Sequence, residues 1–229
     1  MANRPCYIVN LKNINNLVIQ ENIDFKFFSG FAKSQKQNSI VSLHESIKNQ
    51  VGFDVKILEI SSKSLQELGK KLSAFNLEID IKGIKASVEC VYQGSKVFEF
   101  GGPFTMLYKM QSIDAKRFDR LKTSGNLDYF DLFGEIWELE PKSAFYDWIY
   151  INALHQNNDL AKEIIRYDIF TDIEFNPKKS YSNQAKAAAL YVAMHKLNLL
   201  DIALKSQNDF LSILKLQTIQ DNIYFKDMK

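Results

Sequence analysis

Residues 87–98 read Ser-Val-Glu-Cys-Val-Tyr-Gln-Gly-Ser-Lys-Val-Phe, and this stretch decides how the rest of the chain is interpreted. Four of its side chains can form hydrogen bonds or carry charge, and they recur three, four and seven residues after the first: Glu89, Tyr92, Gln93 and Lys96. Residues at these spacings share one face of an α-helix. The stretch therefore predicts a helix over 87–98 that holds an acid, a phenol, an amide and an amine in line.

The polar face has two interpretations, a structural ion pair or a functional site. Glu89 and Lys96 lie seven residues apart, beyond the usual three- or four-residue spacing of helical salt bridges. Charges on a largely apolar helix are costly, and such charges cluster at active sites as well as in structural networks. A face of small residues on the same helix predicts close packing against another element: Cys90, Gly94 and Val97.

The chemistry available to such a site is definite. A carboxylate can act as general acid or base on a glycosidic bond. A lysine removed from water has a lowered pKa and can attack a carbonyl or sugar carbon. Glu89 and Lys96 are the first candidates for catalytic residues.

The remaining pattern predicts an α+β fold in which helices dominate after residue 87. Predicted strands cover residues 7–9, 17–19, 23–28, 55–60 and 75–81. Predicted helices cover residues 34–48, 62–72, 87–98, 114–122, 141–155, 159–166 and 183–197. Pro141 suits the first turn of the helix that it begins. Residues 127–137 remain ambiguous, and residues 167–180 are interpreted as mostly loop.

Composition fits one globular domain without a strong preference for a partner. The chain has 229 residues, 46% of them hydrophobic, and a formal net charge of +2, which gives no overall attraction to nucleic acid. Basic residues are concentrated at 109–122 and at Lys178, Lys179 and Lys186. These clusters fit solvated helix faces or local anion-binding patches, and the residue types alone favour the solvated faces.

Cysteine and histidine are too few and too dispersed for a metal or disulfide framework. The two cysteines are Cys6 and Cys90, and the three histidines lie far apart, so no metal site is predicted. No long apolar stretch follows the N-terminus. The expectation is a cytoplasmic protein that needs neither a metal nor a redox cofactor.

The central stretch resembles the signature of the NADAR family, in which a Ser/Thr-Val-Glu-His-x-Tyr-Gln-x-x-Lys-Phe run follows a Leu-Ser-Asn-Phe strand. Residues 72–75, Leu-Ser-Ala-Phe, stand where that strand belongs. Residues 145–157 resemble the family's helix with a Gln-Asn turn, and Asn183 begins a segment similar to its Asn-containing helix start. The resemblance covers about residues 58–200.

Further stretches resemble the NADAR branch encoded beside DarT toxins. They are residues 140–154 and 170–180, and, in an N-terminal extension, Gly30, residues 34–37 and residues 39–44. This resemblance implies an N-terminal β/α extension over 1–57 and a catalytic core with C-terminal helices over 58–229. The implied fold is a helix-dominated single domain with a small mixed sheet.

The sequence also departs from the family pattern. Cys90 replaces the usual His after the Glu, Ala86 replaces Trp, Ala74 replaces Asn, and Phe175-Asn176 replaces Trp-Gly. Each change can alter the shape of the pocket or the choice of substrate. None of them removes Glu89 or Lys96.

The resemblance implies roles for further residues. Asp172 matches the family's acid and is a candidate catalytic or ribose-binding carboxylate. Tyr92 and Gln93 are candidate ligand contacts or core groups. Asn183 is a candidate ligand contact or a helix cap. Lys178 is a candidate contact for pyrophosphate or DNA, or a solvated lysine.

The function implied by the resemblance is that of an antitoxin N-glycosidase, which removes the ADP-ribose that a DarT-like toxin attaches to guanine in DNA. Its expected partners are ADP-ribosylated guanine in DNA, the ADP-ribose product and the toxin as a genetic partner, with no membrane. Two alternatives stay open. One is a NADAR hydrolase of a small ribosylamine metabolite, and the other is a module that binds ADP-ribose without cleaving it.

Overall fold

The computed structural model describes residues 1–30, 32–52, 54–177 and 180–224, with side chains as far as Lys215. The strands are β1 (Ala2–Val9), β2 (Val18–Phe25), β3 (Ile57–Glu59), β4 (Glu78–Ile81), β5 (Ile84–Ser87), β6 (Lys96–Phe98), β7 (Leu127–Leu132), β8 (Glu135–Trp137) and β9 (Ile169–Thr171). The helices are α1 (Lys33–Val51), α2 (Glu67–Lys71), α3 (Val88–Gly94), α4 (Ser112–Lys116), α5 (Arg120–Thr123), α6 (Ala144–Gln156), α7 (Asn158–Ile164), α8 (Gln184–Lys196), α9 (Leu200–Ala203) and α10 (Gln207–Tyr224), with a 3₁₀ turn at Thr105–Lys109.

The largest sheet has the strand order β2-β1-β9-β3 and joins the N-terminal strands to β9, which lies about 160 residues later in the chain. β1 runs antiparallel to both β2 and β9, whereas β3 runs parallel to β9. The predicted division near residue 57 falls at the start of β3, so residues on both sides of it contribute to this one sheet. The prediction of mostly loop over residues 167–180 is wrong at residues 169–171, which form β9. All three residues of this strand are buried, so it has no polar alternation by which it could be recognised.

Helix α1 covers one face of this sheet with the apolar stripe that the sequence predicts. Ile40, Leu43 and Ile47 are buried and form one cluster with Ile23 and Phe25 of β2. The second and larger hydrophobic cluster surrounds α6 and α8, which are buried along most of their length. The α+β class with small mixed sheets, predicted from the sequence, is confirmed.

The helix predicted over 87–98 is wrong beyond Gly94. Helix α3 ends there, Ser95 forms its C-cap, and Lys96 begins β6, which pairs with β7. Val97 and Phe98 have the branched or aromatic side chains that suit a strand. Lys96 therefore lies on a strand and does not share the α3 face with Glu89.

Other boundaries also differ from the prediction. The helix predicted from Pro141 begins at Ala144, because Ser143 has a left-handed backbone conformation with φ 67°. The helix predicted over 114–122 is two short helices, α4 and α5. Residues 127–137 form the β7-β8 hairpin, whose turn is Phe133-Gly134 with positive φ at both residues. No helix in the described part of the chain combines the length and the apolar character that crossing a membrane requires.

Candidate functional site

A cavity of about 780 Å³ opens between α3, the β7 strand, the segment before α6 and the loop after β9. Its wall includes Glu89, Tyr92, Gln93 and Lys96 from the central stretch and Asp172 from the loop after β9. The volume lies in the range of pockets that enclose a small organic ligand. Five of the seven side chains predicted for the site are therefore brought together in one wall.

Three of these side chains form a hydrogen-bonded chain along the cavity wall. Gln93 Nε2 donates to Glu89 Oε1 at 2.9 Å, and Lys96 Nζ donates to Gln93 Oε1 at 2.8 Å. Glu89 and Gln93 are one turn apart on α3 and are both buried. Lys96, three residues after Gln93, joins them from the first position of β6. The amide thus links an acid to an amine that a continuous helix would have held two turns apart.

The N-terminus of α3 is fixed by a serine cap and a second serine. Ser87 Oγ accepts from the Cys90 amide at 3.1 Å, and it lies 2.8 Å from Ser112 Oγ at the start of α4. Gly94 allows close approach on another side of the helix. A Cβ placed on Gly94 would stand 2.5 Å from the Tyr108 ring. The small-residue face predicted from the sequence is confirmed at Cys90 and Gly94, which pack against the 3₁₀ turn and its end.

Lys116 is a cavity residue that the sequence analysis placed in a solvated basic cluster. Its Nζ lies 3.8 Å from Glu89 Oε1 and 5.0 Å from the centre of the Phe75 ring. More than half of the Lys116 side chain is exposed, whereas Glu89 is buried. The Glu89 carboxylate therefore has an amide on one side and a cation at the rim of the cavity on the other.

Lys96 has an amine that loses its proton unusually easily. Burial lowers its pKa to about 8, and the repulsion of Lys116 acts in the same direction, while the Glu89 carboxylate opposes both. The Nζ atom also lies 4.6 Å from the centre of the Tyr92 ring. A cation–π contact favours the ammonium form. With this pKa about a tenth of the amine is free of its proton at pH 7, as a nucleophile requires.

Tyr92 combines a packed ring with a polar tip. The ring contacts Phe130, Phe145 and Tyr146 with centroid distances of 5.2–6.3 Å. The hydroxyl lies 3.1 Å from Ser182 Oγ on the opposite wall. Burial is the main cause that raises the pKa of Tyr92. Both interpretations from the sequence, a core ring and a ligand contact, fit this placement.

Asp172 is held in the loop after β9 by three hydrogen bonds. Its Oδ1 accepts from the amides of Glu174 and Phe175 at 3.0 and 3.2 Å, and its Oδ2 accepts from Gln184 Nε2 at 3.0 Å. Burial raises the pKa of Asp172 and the nearby Glu59 carboxylate adds to the rise, while the hydrogen bonds oppose them. The carboxyl therefore holds a proton at a higher pH than an exposed aspartate does.

Gln184, the first residue of α8, connects the two halves of the cavity. Its Nε2 also donates to the Ile60 carbonyl at 2.7 Å, and its Oε1 accepts from the Ala74 amide at 2.8 Å. Ala74 in turn accepts from the Glu89 amide at 2.9 Å through its carbonyl. One side chain thus spans from Asp172 to the segment that precedes α3. Gln184 could have been identified from the sequence because it directly follows Asn183, a predicted ligand residue.

Glu59 is a buried acid behind Asp172 that the sequence analysis did not single out. Its Oε2 accepts from Thr171 Oγ1 at 2.6 Å and its Oε1 accepts from the Ile173 amide at 2.9 Å. His44 Nε2 from α1 lies 2.9 Å from the same Thr171 hydroxyl. Burial raises the pKa of Glu59 and lowers that of His44 to about 4. The isolated acid in the apolar run Ile-Leu-Glu-Ile, residues 57–60, was the signal that could have found it.

Helix α6 adds two further buried groups near the wall. Tyr146 lines the cavity, and its hydroxyl makes no hydrogen bond to a described residue; burial and then the Glu89 charge raise its pKa. Asp147 is buried, accepts from Ser143 Oγ at 2.8 Å, and leaves its Oδ1 without a partner in the described chain. Burial raises the pKa of Asp147 to about 6, and Lys186 opposes the shift.

One predicted ligand residue stands apart from this wall, and another lies outside the described residues. Asn183 caps α8, where its Oδ1 accepts from the amides of Ala185 and Lys186 at 2.7 and 3.1 Å, and it does not line the cavity although both its neighbours do. Lys178 lies outside the described residues. No group of three His, Cys, Asp or Glu side chains in the described part of the chain is arranged to hold a metal ion.

The arrangement can move protons and attack an electrophilic carbon. Glu89 can give or take a proton, and Lys96 offers a partly neutral amine within one amide of it. Asp172 can hold hydroxyl groups of a ligand from the opposite side. Comparison with protein families finds one that fits these features: the model of the DarT1-associated NADAR antitoxin matches residues 2–223. Comparison with curated proteins gives no match.

Proposed function

Since the chain belongs to the DarT1-associated NADAR antitoxin family, we propose that it counteracts a DarT-like toxin as an N-glycosidase that removes ADP-ribose from guanine bases in DNA. The substrate is ADP-ribosylated guanine, the products are ADP-ribose and intact DNA, and the reaction takes place in the cytoplasm. The toxin is the genetic partner. The reaction requires water and no metal or redox cofactor.

One observation carries this proposal: the hydrogen-bonded chain from Glu89 through Gln93 to Lys96 in the wall of a ligand-sized cavity. An N-glycosidic bond breaks when the leaving nitrogen gains a proton and the sugar carbon gains a new partner. Glu89 supports the first requirement. Lys96, with its pKa lowered to about 8, supports the second.

The proposed reaction passes through an imine on Lys96. The ribose ring opens first: the bond between C1 and the ring oxygen breaks, the oxygen takes a proton, and the guanine nitrogen forms a protonated imine with C1. The neutral Lys96 amine then adds to C1, and Glu89 carries a proton from the added nitrogen to the guanine nitrogen. The bond between C1 and guanine breaks, which frees the neutral guanine amine and leaves a protonated imine between C1 and Lys96. Water adds to this imine, the lysine amine leaves, and ADP-ribose closes its ring.

The other residues of the wall hold the substrate in this scheme. Asp172 orients the ribose hydroxyls or assists proton transfer, and Gln93 keeps the acid and the amine in contact. The Tyr92 ring contacts the Lys96 amine, whose Nζ lies 4.6 Å from the ring centre. Asn183, at the start of α8, is proposed to act on the ligand phosphates, since anions bind well at a helix N-terminus. Lys178 is proposed to act on the same phosphates.

The test compares release of ADP-ribose from a guanine-ADP-ribosylated oligonucleotide by wild type, Glu89→Gln and Lys96→Ala. We expect losses of at least about a hundredfold in both variants, since general acid–base catalysis alone contributes that much. Lys85→Ala is the matched control, because Lys85 is exposed on β5 and does not line the cavity. Full activity in both site variants would refute the assignment.

A trapping experiment tests the imine separately. Borohydride added during turnover should attach the ribosyl group to the peptide that contains Lys96, and the Lys96→Arg variant should give no such product. Cleavage of a small ribosylamine but not of the oligonucleotide would favour a metabolite hydrolase instead. Tight calorimetric binding of ADP-ribose without any release of base would favour a binding module.

A further inference from the structure

The surface beside the cavity carries an excess of positive charge that the proposed reaction does not use. Residues 109–122 contain five basic and two acidic residues, an excess larger than the net charge of +2 of the whole chain. All five basic side chains are exposed: Lys109, Lys116, Arg117, Arg120 and Lys122. Within the described residues only Lys116 among them lies within 4 Å of a carboxylate. The other four cations are available to a negatively charged partner.

The structure connects this charge to the mouth of the cavity. Lys116 itself lines the cavity. On the neighbouring edge, Leu127 lines the cavity and pairs with Phe98, which bridges to Gly101. The Arg120 guanidinium lies 2.7 Å from where a Cβ on Gly101 would stand. Arg120 is therefore about two strand spacings, or roughly 10 Å, from the cavity wall.

An exposed aromatic residue, Phe100, directly precedes Gly101, the residue that the Arg120 guanidinium approaches. Phe100 is 75% exposed, the most of any phenylalanine in the described chain. Its amide donates to the Ser124 carbonyl at 2.9 Å, and its ring packs against Gly125, where a Cβ would stand 2.9 Å from it. The adjacent acid, Glu99, accepts hydrogen bonds from the Asn126 amide and side chain.

A single exposed phenylalanine needs no explanation by itself. The Arg120 guanidinium lies 4.9 Å from the centre of the Phe104 ring and has no carboxylate within 4 Å among the described residues. Together, this segment and the basic residues 109–122 offer the combination that single-stranded nucleic acids bind: cations for the phosphates and a flat ring on which a base can stack. A stacked strand carries one phosphate about every 3.4 Å, so a distance of roughly 10 Å corresponds to about three nucleotides. The cavity and this surface lie at a spacing that one strand can bridge.

We propose that Phe100, Arg117, Arg120 and Lys122 bind single-stranded DNA that flanks the modified nucleotide, with the cations on its phosphates and Phe100 stacked on an unpaired base. This inference rests on the proposed function for the nucleotide that enters the cavity. It adds the path of the strand outside the cavity. It also assigns a preference for single-stranded over duplex DNA, because a paired base cannot stack on Phe100.

Binding of an unmodified single-stranded oligodeoxynucleotide tests the surface without any reaction. The fluorescence anisotropy of the labelled oligonucleotide gives its affinity at several salt concentrations. The proteins compared are wild type, the double variant Arg117→Glu with Arg120→Glu, and Phe100→Ala. The double variant should weaken binding more than tenfold and reduce the salt slope by about 1.4, the value for two lost contacts to single-stranded phosphates. Phe100→Ala should weaken binding of the single strand at least about fivefold and leave duplex binding unchanged.

The matched control is Lys162→Glu with Arg166→Glu, which makes the same change in net charge on exposed residues outside the cavity. This control should lose much less affinity than the double variant. Equal losses in both would show that only overall charge matters and would overturn the proposal. Thermal unfolding of each variant distinguishes lost binding from lost folding.

Activity on two substrates separates this proposal from the function on which it rests. The double variant should cleave an ADP-ribosylated oligonucleotide at least about tenfold more slowly in kcat/KM and cleave ADP-ribosylated guanosine at the wild-type rate. Loss on both substrates, or on neither, would overturn the surface assignment. If wild type cleaves neither substrate, the proposed function fails, while oligonucleotide binding still decides the surface. Binding of the toxin that is lost in the double variant, with oligonucleotide binding intact, would assign the surface to a protein partner.

Discussion

Raising the pH from 7 to 9 should increase the single-turnover rate of ADP-ribose release about tenfold, because the Lys96 amine loses its proton over that range. Burial lowers the pKa of Lys96 to about 8 from an ordinary value of 10.5. With that midpoint, roughly a tenth of the amine is neutral at pH 7 and roughly nine-tenths at pH 9. A lysine in water would be about 300-fold less neutral at pH 7.

Two substitutions should move this midpoint in opposite directions. Glu89→Gln removes the carboxylate that favours the ammonium form, so the midpoint falls below 8. It also lowers the plateau rate about 10²- to 10⁴-fold, since the proton carrier is lost. Lys116→Met removes a repelling cation, so the midpoint rises above 8. This second shift is the smaller one, because more than half of the Lys116 side chain is exposed to screening.

The assay is single-turnover release of ADP-ribose from ADP-ribosylated guanosine between pH 6 and 10 at constant ionic strength. Asp172 also has a raised pKa, and its ionisation would produce a similar increase of rate with pH, called here the alkaline limb. Asp172→Asn is therefore the control, and the limb should persist in it. A flat profile, or a limb that disappears in Asp172→Asn, would refute the assignment of the amine as nucleophile. So would midpoints in the reverse order for the two charge variants.

Three further predictions concern stability and the cavity wall. Burial raises the pKa of Glu59, so the folded chain binds more protons than the unfolded chain above about pH 4.3, and stability is lost as pH rises. Glu59→Gln should therefore become more stable relative to wild type as the pH rises from 5 to 8, by about 1.4 kcal/mol for each pH unit by which folding raises this pKa. Urea unfolding at pH 5 and at pH 8 measures this difference, and the same difference at both would contradict the prediction. Gly94→Ala should cost about 1–3 kcal/mol despite the better helix propensity of alanine, because its Cβ would stand 2.5 Å from the Tyr108 ring; an unchanged or higher Tm would show that the ring can move. Tyr92→Phe loses the Ser182 contact but keeps the ring beside the Lys96 amine, so it should retain activity within a few-fold. Tyr92→Leu removes the ring that favours the ammonium form, so it should lower the pH midpoint of activity relative to Tyr92→Phe; equal midpoints in the two variants would exclude this role for the ring.

The local part of the site could be predicted from the sequence. Glu89 and Gln93 are one turn apart on α3, and periodicity is sufficient to place such a pair on one face. Lys96 shows where periodicity fails. Gly94 is the last residue of α3 and Ser95 still has a helical backbone conformation, so the polar pattern continues across the boundary. Pairing of Lys96 with Phe130 on β7 determines the strand, and residues that far apart in sequence share no local pattern.

The remainder of the site depends on contacts between distant segments. Lys116 reaches Glu89 because α4 packs beside α3, and its own segment differs little from a solvated basic helix. Asp172 and Glu59 become neighbours because β9 lies beside β3 in the sheet. Both acids interrupt apolar runs, and the sequence contains no measure of how deeply they are buried. Resemblance to a family supplied Asp172, whereas Glu59 became visible only in the folded chain.

The place of β9 between β1 and β3 has a consequence for the timing of synthesis. Ile8 pairs with Ile169, so an early strand must wait for a partner made about 160 residues later. At about 5–20 residues per second, the ribosome needs on the order of ten seconds to half a minute to supply it. The loop with Asp172 follows β9 directly, so a nascent or truncated chain that stops before it has no complete cavity wall. An antitoxin built in this way can complete its cavity only after about three-quarters of the polypeptide has been translated.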